Sequence, residues 1–444
     1  MAEQHDKQHY LGDIARLEGP GVPEVVRDVR TTGAAMFRKT PFPHTKMEEW
    51  RQTNIAKIVN TRFETLVVPT GHGLERGDIA PFSYGAPDWI ELVFVDGYYA
   101  QDLSCLEGLP DGAYAGSLWD ALVSDNPAAT QHLNKHLGDR NAFTHLNNAF
   151  LQDGAFVYIP KNTKVDRPIH LVFLTSAQRA ENTASNPRHL IVADTGSQAA
   201  IVESYVSTAG ATAYFNNVVV ETALMPNASI NRYKIVREGE NGYHLATAEV
   251  HQDRDSRYTS FAFSLEGQIV RNQLCINLDG EAAACNLHGL VTNDQDRLVD
   301  NMVHVTHAKP HCNSRIAYKG ILDGTSKGVF LGKVHVLPDA QQTDSDQLSQ
   351  YMLLNEKATI DTKPQLEIYA DDVKCTHGAT VGAPPEQVIF YFRSRGIDEA
   401  TARGMLTYGF ADEIVGEVDL EPLRDALDAY VFDKYSPKNK ARQY

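Results

Sequence analysis

Between about Ala155 and His377 apolar and polar positions alternate in short runs, and no long amphipathic helix pattern interrupts them. Such runs begin near Ala213, Ser229, Tyr243, Arg257, Ile269, Ala284, Leu298, Asn313 and Val329. They recur every roughly 14 to 15 residues, and Gly, Asn, Asp or Pro stands at most of the breaks. Alternation sends every second side chain to one face of a strand, so regular spacing implies stacked, similar units. Two architectures satisfy this: an antiparallel sandwich or barrel, and a β-solenoid in which each coil buries its inner face only by stacking on its neighbours. Periodicity alone does not separate them.

The flanks read differently. From Val22 to about Asn60 the pattern is helical, with a break at Pro41 and Pro43. Thr45 and Glu48 have the spacing of a capping box leading into MEEWRQTNIAKIV, and Trp50 is expected to anchor that helix to a core. The run Trp89–Tyr99 alternates and turns at Asp96-Gly97, a two-residue hairpin signal. Asn126 to Phe150 reads as helical, with Leu133, Leu137, Phe143, Leu146 and Phe150 on one side. Beyond Pro384-Pro385 three helices are expected. EQVIFYFRSRG closes at Gly396; a second helix, capped by Asp398, carries Ala402, Met405, Leu406 and Phe410; a third starts at Glu421-Pro422 and carries Leu423, Ala426, Leu427 and Tyr430. The chain thus divides into a mixed N-terminal region (1–150), a β core (151–381) and a helical tail (382–444). A tail this small has little core of its own, so its apolar stripe packs on the β body or takes a partner. Deleting everything after about Val381 is expected to leave a folded β body.

Composition narrows the function. The 444 residues are 42% hydrophobic and 22% charged, which fits a globular protein of two or three units. The net charge of −16, with no Lys/Arg cluster, argues against a nucleic-acid surface. No apolar run approaches the roughly 18 residues that span a bilayer, and MAEQHDKQHY has no leader-like apolar stretch, so a cytoplasmic protein without membrane contact is expected. Five widely spaced cysteines read as reduced thiols rather than a disulfide framework. There is no phosphate-binding loop; the stretch Gly328 to Val334 has the wrong glycine spacing and lacks the hydroxyl for Mg²⁺. Nor is there a G-x-S-x-G elbow, an H-E-x-x-H pair or a dinucleotide fingerprint. The chain is therefore not expected to hydrolyse ATP by itself.

The sharpest candidate chemistry lies in YADDVKCTHGATV, Tyr369 to Val381. If Asp371 to His377 is a strand, Asp371, Val373, Cys375 and His377 share one face. Same-face neighbours are about 7 Å apart at the backbone, so thiol and imidazole can reach one Fe or Zn ion. The plain structural alternative is a half-buried Cys beside a hydrogen-bonded His. A second constellation, His304, His307, His311 and Cys312, mixes strand parities and is broken by Pro310, so its groups need not converge. Cys285 and His288 read as core and surface. Neighbouring carboxylates such as Asp371/Asp372 and Glu48/Glu49 face opposite ways and make poor acid/base pairs.

Several strings are together distinctive: KMEEWRQT, NMVHVTHAKPHCNSRIAYKGIL, GVFLGKVHVLPDAQQTDSDQ, TKPQLEIYADDVKCTHGATVG and FYFRSRGIDEATARGMLTYGF. Through nearly the whole chain they resemble the SufB/SufD family of Fe–S cluster assembly proteins. The resemblance implies a mainly β fold, a right-handed parallel β-helix core flanked by helical N- and C-terminal domains. It implies a scaffold subunit of a SufBCD complex that pairs with a SufB-like paralogue and carries a SufC-like ABC-type ATPase on its C-terminal helices, with Met405, Leu406 and Phe410 as the docking stripe. His377, the metal-ligand candidate, and Cys375 match the motif positions facing the paired interface. No stably bound cofactor is implied, only a transient cluster or iron shared with the SufB-like chain. Where the SufB type has a sulfur-accepting Cys this chain has Ser349, and where SufB has Glu after the motif His it has Gly378; both departures resemble SufD. The alternative is a structural β-helix homodimer without direct cluster ligation.

Overall fold

The computed structural model describes residues 7–436 apart from 18, 20, 68–70, 86–87, 139–140 and 178–181. The first six and last eight residues, which begin and end the outer regions drawn from the sequence, lie outside the described residues.

Parallel pairing decides between the two architectures. Every long strand from Ile169 onward pairs in parallel with strands one coil away, and successive strands alternate between two sheets. Leu298–His307 of one sheet lies between Ile269–Leu278 and Lys327–Val336. Asn313–Leu322 of the other lies between Ala284–Asn293 and Asp344–Leu353. This is a β-solenoid of about 7 turns with helical N- and C-terminal regions. The strands begin at Ser229, Arg257, Ile269, Ala284, Leu298 and Asn313, as the alternation predicts. Corners are turned by residues in the left-handed region, among them Asn227 and Asp255, whose short polar side chains bear positive φ at least cost, and Gln295 and Gln342. Inward positions of both sheets, such as Ile201, Val220, Ile276, Leu287, Val305 and Val334, form one continuous core.

The Asp96-Gly97 hairpin is present, joining Ile90–Val95 to Tyr98–Tyr99, with φ of 51° and 92° at the turn. Yet Ile90–Val95 is buried on both faces and pairs in parallel with Ile169–Thr175, so the solenoid sheet starts inside the N-terminal region. Two expectations need correction. The helix expected after Thr45 is a single 3-10 turn, Glu48–Trp50, and a short helix, Ala56–Asn60, with no side-chain cap. Tertiary contacts override the local signal: the Arg271 guanidinium lies 3.9 Å from the centroid of the Trp50 ring, and the Thr53 hydroxyl donates to Asp300 Oδ2 at 2.5 Å. The segment 126–150 is two helices, Pro127–His132 and Ala142–Phe150, each started by an Asn whose side chain accepts backbone N–H bonds.

The tail forms the three expected helices, Glu386–Ser394, Glu399–Val415 and Glu421–Tyr435, with Asp398 accepting from Thr401 N at 3.0 Å as its sequence position predicts. Ala411, Ile414, Val415, Leu423, Leu427 and Val431 cover Val202, Tyr233, Ile235, Phe261, Phe263 and Leu290 on the outer face of one sheet. The apolar stripe of the tail thus packs on the β body, and removing the tail would uncover that sheet face.

Candidate functional site

The solenoid ends at Thr359–Ile368 in one sheet and Lys374–Gly382 in the other. Among the described residues each pairs on one side only, with Lys327–Val336 and Asp344–Leu353 respectively. The last coil is thus an open mouth with two free edges. The strand expected over Asp371–His377 starts at Lys374: Asp371 and Asp372 form the turn before it, where Asp372 N–H donates to the Gln341 side chain at 2.9 Å and its carbonyl accepts from Gln342 N. Asp371 therefore does not share the strand face. Cys375 and His377 do.

Register fixes where they point. Cys375 stands on Ser345, His377 on Gln347, Ala379 on Ser349 and Val381 on Tyr351. The four lower residues are buried lumen positions, so Cys375 and His377 belong to the inward row of the last coil. Cys375 packs half-buried against the core edge, whereas His377 is exposed because nothing stacks above it. Burial and the Asp344 carboxylate push the Cys375 thiol up, with the Ser345 backbone opposing, so it is a protonated thiol at neutral pH and must lose that proton to bind metal. Among the described residues no three His, Cys, Asp or Glu side chains converge to hold an ion. Among the described residues the mouth brings Cys375 and His377 together on one row and no third such donor, whereas a tetrahedral metal site takes four.

The remaining candidates separate. His307 points inward, fully buried, with Nε2 2.9 Å from Ser314 Oγ. Ser314 in turn donates to Ser345, the residue beneath Cys375, at 2.8 Å. Burial holds the His307 imidazole down to about 4, hence neutral. His304 faces outward toward His335, and His311 sits at an exposed corner with φ of 61°. Cys285 and Cys312 are buried core thiols pushed up by burial. His288 faces outward, but instead of standing on the surface it stacks on Phe261 half-buried near the tail. Ser349 is buried, its hydroxyl 2.9 Å from Thr362 Oγ1 across the lumen.

Two features escaped the sequence reading. Gln347 is 0% exposed, and neither its Oε1 nor its Nε2 has a hydrogen-bond partner among the described residues. Such an amide costs on the order of 1–3 kcal/mol. It rests on Gly332 in the opposite sheet, where a Cβ would fall 2.3–2.8 Å from all three amide heavy atoms. The lower lumen is polar: Arg232 forks onto both Glu203 oxygens at 2.7 and 2.6 Å, and Lys234 donates to Asn272 at 2.5 Å. An alternating strand pattern marks inward positions but does not say which polar residues occupy them.

In the tail, Met405 is exposed and Leu406 half-buried. Phe410 packs against the solenoid-facing cluster with the Lys319 ammonium 4.4 Å from its ring centroid. Other exposed apolar groups lie on the preceding helix, Val388, Phe390 and Tyr391, and on the last one, Phe432.

Comparison with known proteins accounts for nearly the whole chain. Residues 173–410 match the model of the SUF system FeS cluster assembly SufBD core domain, and residues 12–171 that of the SufBD protein N-terminal region. A SufBD family iron–sulfur cluster assembly protein of Synechocystis sp. is 31% identical over 90% of this chain and 88% of its own length. The iron–sulfur cluster assembly protein SufD of Escherichia coli is 31% identical over 87% of this chain and 86% of its own. The chloroplastic protein ABCI7 of Arabidopsis thaliana is 28% identical over 91% and 85%.

Proposed function

The chain belongs to the SufBD family of SUF-system Fe–S cluster assembly proteins and is SufD-like; on that premise we propose that it is a non-catalytic scaffold subunit. It pairs at its open solenoid mouth with a SufB-like paralogue, carries a SufC-like ATPase on its tail and works in the cytoplasm. The cluster or iron is cargo, held transiently between two chains, and no cofactor resides on this one.

The observation that carries the reading is the mouth itself. Two strands present unpaired N–H and C=O rows, and such edges are templates for pairing with another chain. Exposed apolar side chains, Leu348, Ile368, Tyr369 and Val381, cluster on and beside those strands. Cys375 and His377 stand in the same row, two donors short of a complete tetrahedral set. Pairing brings in the missing donors and covers the lumen, so a site exists only in the assembly. Ser349 stands where the SufB type carries a sulfur-accepting Cys, which supports a reading in which persulfide chemistry belongs to the paralogue.

The tail supplies a second surface. Val388, Phe390 and Tyr391 stand on a helix that packs on Glu399–Val415, and Met405 stands on that second helix, which is itself anchored to the solenoid. We assign ATPase docking to this surface, with Leu406 and Phe410 setting the helix in place beneath it. The test is co-purification with charged substitutions at each surface. Val381→Lys is expected to lose the paralogue and keep the ATPase, and Phe390→Asp the reverse; loss of neither partner would refute the assignment.

A further inference from the structure

We infer that Gln347 is a positioning residue for His377, the acceptor that fixes its imidazole when the mouth is covered; this rests on the reading of His377 as a ligand at the paired interface. Gln347 lies directly under His377 in the ladder, on the same inward row. Its carboxamide is fully buried with both polar atoms unpaired, and the absence of a side chain at Gly332 makes the room it occupies. Tyr351, the other unpaired polar group on this row, lies beneath Val381 instead.

The chemistry follows from what a ligating imidazole needs. One ring nitrogen binds the metal through its lone pair, and the other carries the proton. In metal sites that N–H is donated to a carboxylate, carbonyl or water, which sets tautomer and ring direction. In the open mouth the His377 ring faces solvent. Once a partner caps the coil, solvent leaves and the ring settles over the lumen, where its N–H donates to Gln347 Oε1. The other nitrogen is then unprotonated and aimed outward at the interface. No net proton transfer is required: the ring N–H exchanges a water acceptor for an amide acceptor, and the buried amide gains the bond it lacks.

The experiment uses the assembly in which the full chain is recovered anaerobically, titrated with Fe²⁺ alone between pH 6 and 8. Gln347→Met keeps length and removes the acceptor; Gln347→Glu keeps the acceptor oxygen. The expected result is Fe²⁺ binding weakened about 10–100-fold by Gln347→Met, restored by Gln347→Glu with an altered pH profile, and not weakened further by Gln347→Met in a His377→Ala background. Unchanged binding in Gln347→Met, or additive losses in the double variant, would overturn the role of Gln347 while His377 stands as a ligand. If His377→Ala alone binds Fe²⁺ normally, the underlying reading of the site falls instead. Should Gln347→Met fail to assemble, Gln347→Glu decides: wild-type affinity with an unchanged pH profile would contradict the inference.

Discussion

Arg188 and Glu221 form a fully buried ion pair, Nη2 to Oε1 at 2.7 Å, on the outer face of the solenoid beneath the N-terminal helices. The pair is closed by its neighbours: Arg188 also donates to Asn147, Asn148 and Asn134, and Glu221 accepts from the backbone N–H groups of Asn134 and His136. It is the polar rivet between the segment 126–150 and the sheet. Glu221→Ala leaves a buried guanidinium without its counter-charge, at an expected cost of about 3–5 kcal/mol. Denaturant unfolding of the variant checks this; a loss under 1 kcal/mol would mean that the amide neighbours alone suffice.

Gly332 offers a packing test. A methyl there meets the Gln347 amide at 2.3–2.8 Å, so Gly332→Ala is expected to destabilise by about 1–3 kcal/mol through overpacking. Gln347→Ala vacates the contact. The double variant should be more stable than Gly332→Ala alone, and simple additivity in unfolding midpoints would contradict the contact.

Acid should weaken the fold in two stages. Burial holds the His189, His244 and His307 imidazoles down to about 3, 4 and 4. The unfolded chain takes up these protons near pH 6.5, so this stability is complete above that pH and is lost as pH falls toward 4. Burial alone pushes the Glu203 carboxyl up, but the Arg232 charge and its hydrogen bonds bring it down to about 2. Its contribution persists through the first stage and disappears between about pH 4.5 and 2. The unfolding midpoint should therefore fall steadily below pH 6.5, and less steeply in His307→Gln; an identical slope in that variant would remove His307 from the account.

Phe390 and Phe410 should behave oppositely. Phe390 is 72% exposed, so Phe390→Ser should leave stability within about 0.5 kcal/mol while weakening ATPase capture at least tenfold. Phe410→Ala, under Lys319 against the solenoid, should lower the unfolding midpoint first. Quantitative pull-down beside thermal unfolding distinguishes the two; equal behaviour would mean that the docking surface is misplaced.

These tests follow the line between what the sequence discloses and what it hides. Strand starts from Ser229 to Asn313 were legible because Gly, Asn, Asp or Pro stands at most of the breaks, and Asn227 and Asp255 are corners that tolerate positive φ; the corner residues Ala282, Gln295 and His311 carry no such signal. Parallel stacking was not legible, since the inward alternation of a solenoid and of a sandwich is the same. The capping-box reading at Thr45 failed because Arg271 and Asp300, over 200 residues away, draw Trp50 and Thr53 onto the sheet. Parity put Cys375 and His377 on one face, yet only the stacking register revealed Gln347 beneath His377.

The central claim is that His377 is a ligand at a paired mouth. Its most direct test is anaerobic affinity recovery of the full chain, wild type and His377→Ala, from its native cells, with partners identified and iron and acid-labile sulfide measured in the same eluate. The account predicts a SufB-like chain and a P-loop ATPase with both proteins, and most of the iron and sulfide lost with His377→Ala. A metal-free lone homodimer, or an undiminished iron and sulfide content in the variant, would contradict it.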